Sequence, residues 1–396
     1  MKLLLKLIAG IIVGITVGSL YYGVDATGGL ETFLTLLARL FVTIESLLGG
    51  FIFFMIPLII LFFITNGISK IGEGSGKVVG ATLGTAYLST LGAGTLAYLV
   101  AMFVMPKITD GGSVPEESGG LEPFFEFEIA PLMDILTALV LAFAFGIVIT
   151  LTKSQLMAKW FEEGKNITEF LIEKVVIPIL PFYIAGVFAG MASEGTIFTT
   201  LAVFGVVLLV AVLLHWVWII VQYSIAGAAL GKNPLRMIRN MIPAYFTALG
   251  TMSSAATIPV TLKQTKQNGI RNRIADFVVP LCANIHLSGS TITIVSCSIA
   301  VMSVLPEYEL PGFGAMFGTI MLLGVVMIAA PGVPGGAIMA ASGILMSNLG
   351  FSEAAVAFMI ALYMAQDSFG TAANITGDGA VSAIIDAYEQ KLNKKA

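Results

Sequence analysis

Long apolar runs dominate the first part of the chain. They cover roughly residues 3–22, 33–65, 78–105, 130–152, 168–192 and 197–230, and a helix of about 20 apolar residues spans a hydrocarbon core. These read as six ordinary crossings. Pro57 and Pro178 fall inside two of them and predict kinks, which membrane helices tolerate. The stretch 109–128, rich in Gly, Pro and Glu and without a period, reads as an aqueous loop.

Past residue 230 the pattern changes. An apolar stretch at 241–262 is flanked by Lys232, Arg236 and Arg239 before it, and by Lys263, Lys266, Arg271 and Arg273 after it. Its middle, 250–259, is small and hydroxyl-rich and ends in Pro259. A crossing would put one basic cluster outside. The pattern predicts a hairpin that enters from the cytoplasm and returns. A helix at about 274–304 then leads out to Glu307 and Glu309. The apolar stretch 312–349 follows, with Pro331, Gly332, Pro334, Gly335 and Gly336 at its centre and no basic flank. This predicts a second hairpin, entering from the outside. A last helix, about 354–388, returns to Lys391, Lys394 and Lys395. Hairpin, helix, hairpin, helix, with the second pair inverted, is the architecture of secondary transporters.

Charge sets the orientation. Lys2, Lys6, Lys70, Lys77, Lys153, Lys159, Lys165 and Lys174 fall in alternate connections, while Asp25, Glu31, the acids of 116–128 and Glu194 fill the others. Only Arg39 and Lys107 break the pattern. The positive-inside rule places both termini in the cytoplasm of a multi-pass cell-membrane (inner-membrane) protein. The start has the basic and apolar regions of a signal peptide but no small-x-small cleavage site, and is expected to remain as a first helix.

Composition agrees. The chain is 57% hydrophobic and 11% charged, against about 25% charged in soluble domains. No basic surface for nucleic acid is present. Cys282 and Cys297 lie in apolar sequence and read as buried free thiols. The fold class expected is all-α: eight transmembrane helices plus two re-entrant helical hairpins in an inverted repeat.

The candidate chemistry lies in residues 363–378. Asp367, Thr371, Asn374 and Asp378 recur at i, i+4, i+7 and i+11, so they line one helical stripe. A carboxylate at bilayer depth costs roughly 2.5–3.5 kcal/mol on insertion scales. A seam that only joins helices needs an amide or hydroxyl, so two acids point to a ligand. A second polar cluster runs from Asn284 through His286, Ser288 and Ser290 to Thr291 and predicts an interrupted helix whose freed carbonyls can bind a cation.

These residues are familiar. Ser253, Ser254, Thr257, Pro259 and Thr261 resemble the serine-rich first hairpin of the dicarboxylate/amino acid:cation symporters, the glutamate-transporter family. Gly332 to Ala337 are similar to its second hairpin tip, and Asp367, Thr371, Asn374, Gly377 and Asp378 to its last helix. The resemblance implies an elevator fold and a homotrimer among membrane lipids. Its scaffold would be residues 1–77 and 130–195, and its transport domain 78–105 and 196–396. It implies substrate contacts at Ser253, Ser254, Ser290, Val333, Gly335, Gly336, Asp367, Gly370, Thr371 and Asn374. Asp367 would hold an α-amino group and Asn374 an α-carboxylate. A cation site would form at Cys282, Asn284, His286, Asn374 and Asp378, for sodium or a proton as coupling ion, with no other cofactor.

Departures from the pattern refine this. The family's middle-helix motif Asn-Met-Asp-Gly-Thr is replaced by His286, Leu287, Ser288, Gly289 and Ser290. A second sodium site shared with Tyr87 and Thr90 therefore lacks its carboxylate. The arginine that reads an acidic substrate is also missing, its places being held by Met252 and Gly370. An unpaired second carboxylate is expensive to bury. The expected function is sodium-coupled uptake of a neutral amino acid. The alternatives are proton coupling through His286, and an acidic amino acid or dicarboxylate substrate.

Blander readings stand beside these. His286 could be a hydrogen-bonded packing residue, and His215 interfacial or packed. Phe51–Phe54, Phe62 and Phe63 read as bulk facing lipid or a subunit. Gly84, Gly92 and Gly94 read as permitting close helix packing, and Asp134 and Asp276 as suiting helix starts. An intramembrane serine hydrolase using His286 with Ser288 or Ser290 is remote, because i, i+2 places a pair on different sides of a helix. An anion channel is disfavoured by two deep carboxylates without basic pore residues.

Overall fold

The computed structural model describes residues 2–23, 29–71, 76–109, 121–125, 129–195, 197–305, 307–328 and 330–393. Asp25, Glu116, Glu117, Glu126, Glu128, Lys394 and Lys395, used above to orient the chain, and most of the 109–128 loop lie outside the described residues. Among those described every regular element is helical. In order they are α1 (Lys2–Tyr22), α2 (Gly29–Ile59), α3 (Thr65–Ile71), α4 (Gly76–Val104), α5 (Pro106–Thr109), α6 (Ile135–Thr152), α7 (Gln155–Leu171), α8 (Ile177–Ser193), α9 (Ile197–Leu230), α10 (Pro234–Thr251), α11 (Ser254–Gln267), α12 (Asn272–Ile285), α13 (Ser288–Val304), α14 (Phe313–Met327), α15 (Gly336–Leu349) and α16 (Glu353–Asn393).

Two long helices carry a π-helical turn where proline disturbs them. Ile60–Ile64 joins α2 to α3 just after Pro57, and Ile172–Val176 joins α7 to α8 just before Pro178. Pro178 lacks the N–H that would reach Lys174 inside its turn, whereas the N–H that Pro57 lacks would reach Phe53, before the turn at Ile60–Ile64. The fifth apolar segment starts earlier than its hydropathy suggests. Ser154 caps α7 through Met157 N, and the helix runs on through Lys159 and Lys165. Those lysines therefore sit on the helix and not in a loop. Among the described residues six helical segments are long and apolar enough to cross a membrane, and α6 and α16 are not among them. The α6 stretch is shorter, and α16 carries the polar stripe.

Helices α1, α2 and α8 pack against one another. Gly10, Gly14 and Gly18 line one face of α1, and a Cβ on them would stand 2.2–2.4 Å from the carbonyl oxygens of Pro181, Ala185 and Ala189. The two backbones touch, as small residues at four-residue spacing allow. Gly92 and Gly94 likewise admit the Trp218 ring and Ile320, whereas Gly84 faces open space and packs nothing. Phe62 and Phe63 differ from the expectation of bulk facing lipid or a subunit. Phe63 is buried, and Phe62 packs on Trp160 and Phe161.

Helix α16 is the centre of the second group. Helices α9 to α13 pack around it, with α4 against α13. Most of its residues are buried, which explains how so polar a helix lies in so apolar a chain. Helices α10 and α11 form one pair, turning at Met252, whose backbone is left-handed (φ 54°). Helices α14 and α15 form another, turning at Gly335 (φ 75°). Their arms have 18, 14, 15 and 14 residues, or roughly 21–27 Å at 1.5 Å per residue, short of a core about 30 Å thick. The two tips meet, Ser253 Oγ donating to Gly332 O at 3.2 Å. Helices α12 and α13 are one span broken at His286 and Leu287. The far end of α16 is anchored by Arg271, which bonds Asp386 Oδ1 at 2.6 Å and pairs with Glu389 at 2.8 Å, and by Arg273, which also meets Glu389.

Candidate functional site

The site begins at the second tip. Gly335 adopts a left-handed conformation that only glycine takes without strain, and its N–H points at Asp367 Oδ2, 2.8 Å away. Thr371, one turn along α16, donates to Asp367 Oδ1 at 3.5 Å. Asp367 is 4% exposed. Gly336 closes the tip by donating to Val333 O at 2.9 Å. From the first tip, Ser253 caps α11 through Ala256 N, and Ser254 beside it is buried.

One turn further along α16, Asn374 repairs the broken helix. The N-cap position of α13 is Leu287, which has no acceptor to offer. Asn374 Oδ1 takes that role from across the interface, accepting from Gly289 N at 2.7 Å and Ser290 N at 3.2 Å. Its Nδ2 donates to Ser290 Oγ at 2.9 Å, which also accepts from Tyr363 OH at 3.0 Å. The helices come this close because Gly289 lacks a Cβ, whose position is 2.5 Å from Gly370 O. Gly370 faces the start of α13 in turn. The same turn holds His215, whose Nε2 lies 3.0 Å from Gly289 O and 3.1 Å from Thr293 Oγ1. His215 is fully buried and packed here, not interfacial.

Deeper still, His286 Nδ1 lies 2.9 Å from Asp378 Oδ1, both side chains fully buried. His286 Nε2 lies 2.9 Å from Ser89 Oγ. That hydroxyl already accepts from Gln222 Nε2 at 2.7 Å and Trp218 Nε1 at 3.3 Å, so its own hydrogen is free for the imidazole. An ionised carboxylate only accepts, which puts a hydrogen on Nδ1. Both ring nitrogens thus have partners, while Gln222 Oε1 is left without one. Gln222 also reaches Ser288 Oγ at 3.4 Å. Asp378 Oδ2 is buried and has no partner. Cys282, also buried, offers its carbonyl to His286 N at 2.9 Å.

The structure thus brings Asp367, Thr371 and Gly335 together at the second tip and Ser290 with Asn374 further along α16, with His286 and Asp378 below. Asn284 stands apart: its side chain is exposed and donates to Pro280 O. Two residues along a helix is about 200°, so Asn284 and His286 face opposite sides. Tyr87 and Thr90 also turn elsewhere, to Met321 O and Ala86 O. Ser89 is the α4 residue that meets the cluster. Ser89, Trp218 and Gln222 escaped the sequence reading, Tyr363 lay in the singled-out stretch without a role, and His215 was read only as interfacial or packed. Tyr363 extends the stripe by one turn (i−4 from Asp367), and Gln222 and His215 are polar residues in an apolar run, so each left a signal.

A scan of family models matches residues 3–388 to the sodium:dicarboxylate symporter family. This chain belongs to that family. Human excitatory amino acid transporter 1 is 29% identical over 260 residues, which cover 64% of this chain and 47% of that protein. Human excitatory amino acid transporter 5 is 30% identical over 207 residues, 52% of this chain and 36% of the relative. Human neutral amino acid transporter A is 29% identical over 166 residues, 41% and 30%. The matches to the first of these relatives span about half its length.

The pairing of His286 with Ser288 or Ser290 weighed above is not formed. His286 Nε2 faces Ser89 and Gln222, while Ser290 Oγ is held by Tyr363 and Asn374. No group of three or more His, Cys, Asp or Glu suited to a metal ion occurs among the described residues. What the arrangement offers chemically is two buried carboxylates on one helix. One faces a loop and the other keeps an unused oxygen.

Proposed function

We propose that this chain is a secondary symporter that takes up a neutral amino acid, coupled to sodium. The observation that carries the reading is Asp367, a buried carboxylate held at the junction of the two helix pairs by one backbone N–H. Such an anion is matched by an ammonium group. Around it Ser253, Ser254, Ser290, Val333, Gly335, Gly336, Gly370, Thr371 and Asn374 supply hydroxyls, an amide and backbone. The places where the resemblance leads one to look for an arginine hold Met252 and Gly370. A substrate with a second carboxylate would find no partner there.

Sodium is cargo in this scheme. Asp378 Oδ2 has no partner, and past Cys282, whose carbonyl accepts from His286 N, the break leaves the last carbonyls of α12 without intrahelical donors. With Asn374 and the carbonyls of Cys282 and His286, that oxygen suits a small hard cation. A second reading, proton coupling, is favoured by one contact: the 2.9 Å bond of His286 to Asp378. The closer packing of α1, α2 and α8 on one another than on the group around α16 supports an elevator, in which the second group moves against the first within a homotrimer. Both termini would lie in the cytoplasm.

Uptake of labelled amino acids into proteoliposomes under separate sodium and pH gradients tests this. The expected result is sodium-driven accumulation of serine, threonine or alanine. Strong aspartate uptake with none of these would overturn the substrate assignment. Accumulation on a pH gradient without sodium would transfer coupling to His286.

A further inference from the structure

A cavity of about 310 Å³ lies between the α2–α3 and α7 helices on one side and α12 with the second tip on the other. It belongs neither to Asp367 nor to Asp378. Its volume falls at the lower end of small-molecule sites, about 300–1,000 Å³. Much of the lining is apolar, including Phe63 and Leu281, and its polar groups converge. Lys165 Nζ and Glu169 Oε2, 3.0 Å apart, present opposite charges side by side. Asn66 joins them: it is 5% exposed, and its Oδ1 is buried without a partner. The opposite wall includes Gly332, whose carbonyl accepts the Ser253 hydrogen bond that closes the two tips.

We propose that this cavity is a second, transient binding site for a zwitterionic amino acid, occupied as the substrate passes the tip junction on its way to or from Asp367. The inference rests on the amino acid transport proposed above. The substrate carboxylate replaces Glu169 at Lys165, and its ammonium replaces Lys165 at Glu169, with Asn66 Oδ1 accepting an ammonium hydrogen. A partly exposed i, i+4 ion pair stabilises a helix little, so the exchange of partners meets little resistance. An anion would leave Glu169 opposed, and an acyl chain would leave Asn66 and both charges unanswered.

Leu281→Cys in the full-length protein, reconstituted in liposomes, reports occupancy through its rate of labelling by a small membrane-permeant maleimide. Native Cys282 and Cys297 are fully buried, and Gly67→Cys is a second reporter on the same cavity should the first fail to fold. Saturating L-serine, L-threonine or L-alanine is expected to slow labelling several-fold. The protection should persist when Asp367→Asn removes the principal site, and vanish in Lys165→Met/Glu169→Gln. Protection that disappears with Asp367→Asn, or survives loss of the ion pair, overturns the proposal. So does protection present without amino acid and released by delipidation, which assigns the cavity to lipid. Counterflow by the wild-type protein is run alongside. Exchange of amino acid without protection sinks this site alone, whereas no exchange sinks the transport reading and this site with it.

Discussion

Replacing Asn374 with leucine tests whether the break in the α12–α13 span is held from outside. The side chain is 2% exposed and makes three hydrogen bonds. Leucine nearly preserves volume, so the loss is of hydrogen bonds and not of packing. Two backbone N–H groups, of Gly289 and Ser290, are left buried without acceptors, at about 1–3 kcal/mol each. Ser290 Oγ keeps its bond from Tyr363. The expected destabilisation is about 2–6 kcal/mol. Unfolding entropy of about 2.1 cal/mol/K per residue makes 1 kcal/mol worth roughly 1 °C in a chain of this length, so a fall of at least about 2 °C should follow in detergent. Folded protein surviving a heat ramp, read by size exclusion, measures it. Asn374→Asp keeps an acceptor facing the helix N-terminus, where an anion is favoured, and should stay within about 1 kcal/mol of the parent. A leucine variant that melts with the wild type would refute the idea that Asn374 caps α13.

Two further substitutions probe the frame. Gly14→Val should cost about 3 kcal/mol, the upper range of overpacking, because its Cβ would meet Ala185 O; Gly84→Val, facing open space, is the matched control and should be neutral in the same heat ramp. Arg271→Ala strips Asp386, whose side chain is 1% exposed, of its ion pair, and breaking buried pairs costs about 3–5 kcal/mol. Gln390 still donates to Asp386, so the lower end is expected. Adding Asp386→Asn should recover much of the loss, and no recovery would mean that the arginine acts by packing alone.

How much of this was legible in the sequence depends on where each partner lies. The stripe from Asp367 to Asp378 was legible because helical period alone puts its members on one face. The two helix pairs were legible because basic residues flank 241–262 on both sides and Pro and Gly centre the second stretch. The family resemblance seen in those motifs agrees with the match over residues 3–388. What the pattern did not supply was the neighbour of each site residue. Ser89 and Gln222 come to His286 from 197 and 64 positions away, and no local periodicity encodes that. The Asn284 side chain was assigned to the deep cluster by proximity in sequence, though helical geometry turns it away. Gly10, Gly14 and Gly18 show the opposite case. Their four-residue spacing was visible, but glycines in an apolar run leave the hydropathy unchanged, so the packing face they form passed unread. Phe62 and Phe63 read as bulk because hydropathy does not distinguish lipid from a neighbouring helix as the environment of an aromatic ring.

The most direct measurement of the central claim is the equilibrium binding of serine, threonine and alanine to the purified protein, wild type against Asp367→Asn, by calorimetry at fixed sodium. The account predicts saturable binding by the wild type and at least a hundredfold weaker binding by the variant, about 2.7 kcal/mol or more, with the thermal midpoint of the free protein preserved. Undiminished binding by Asp367→Asn would contradict it.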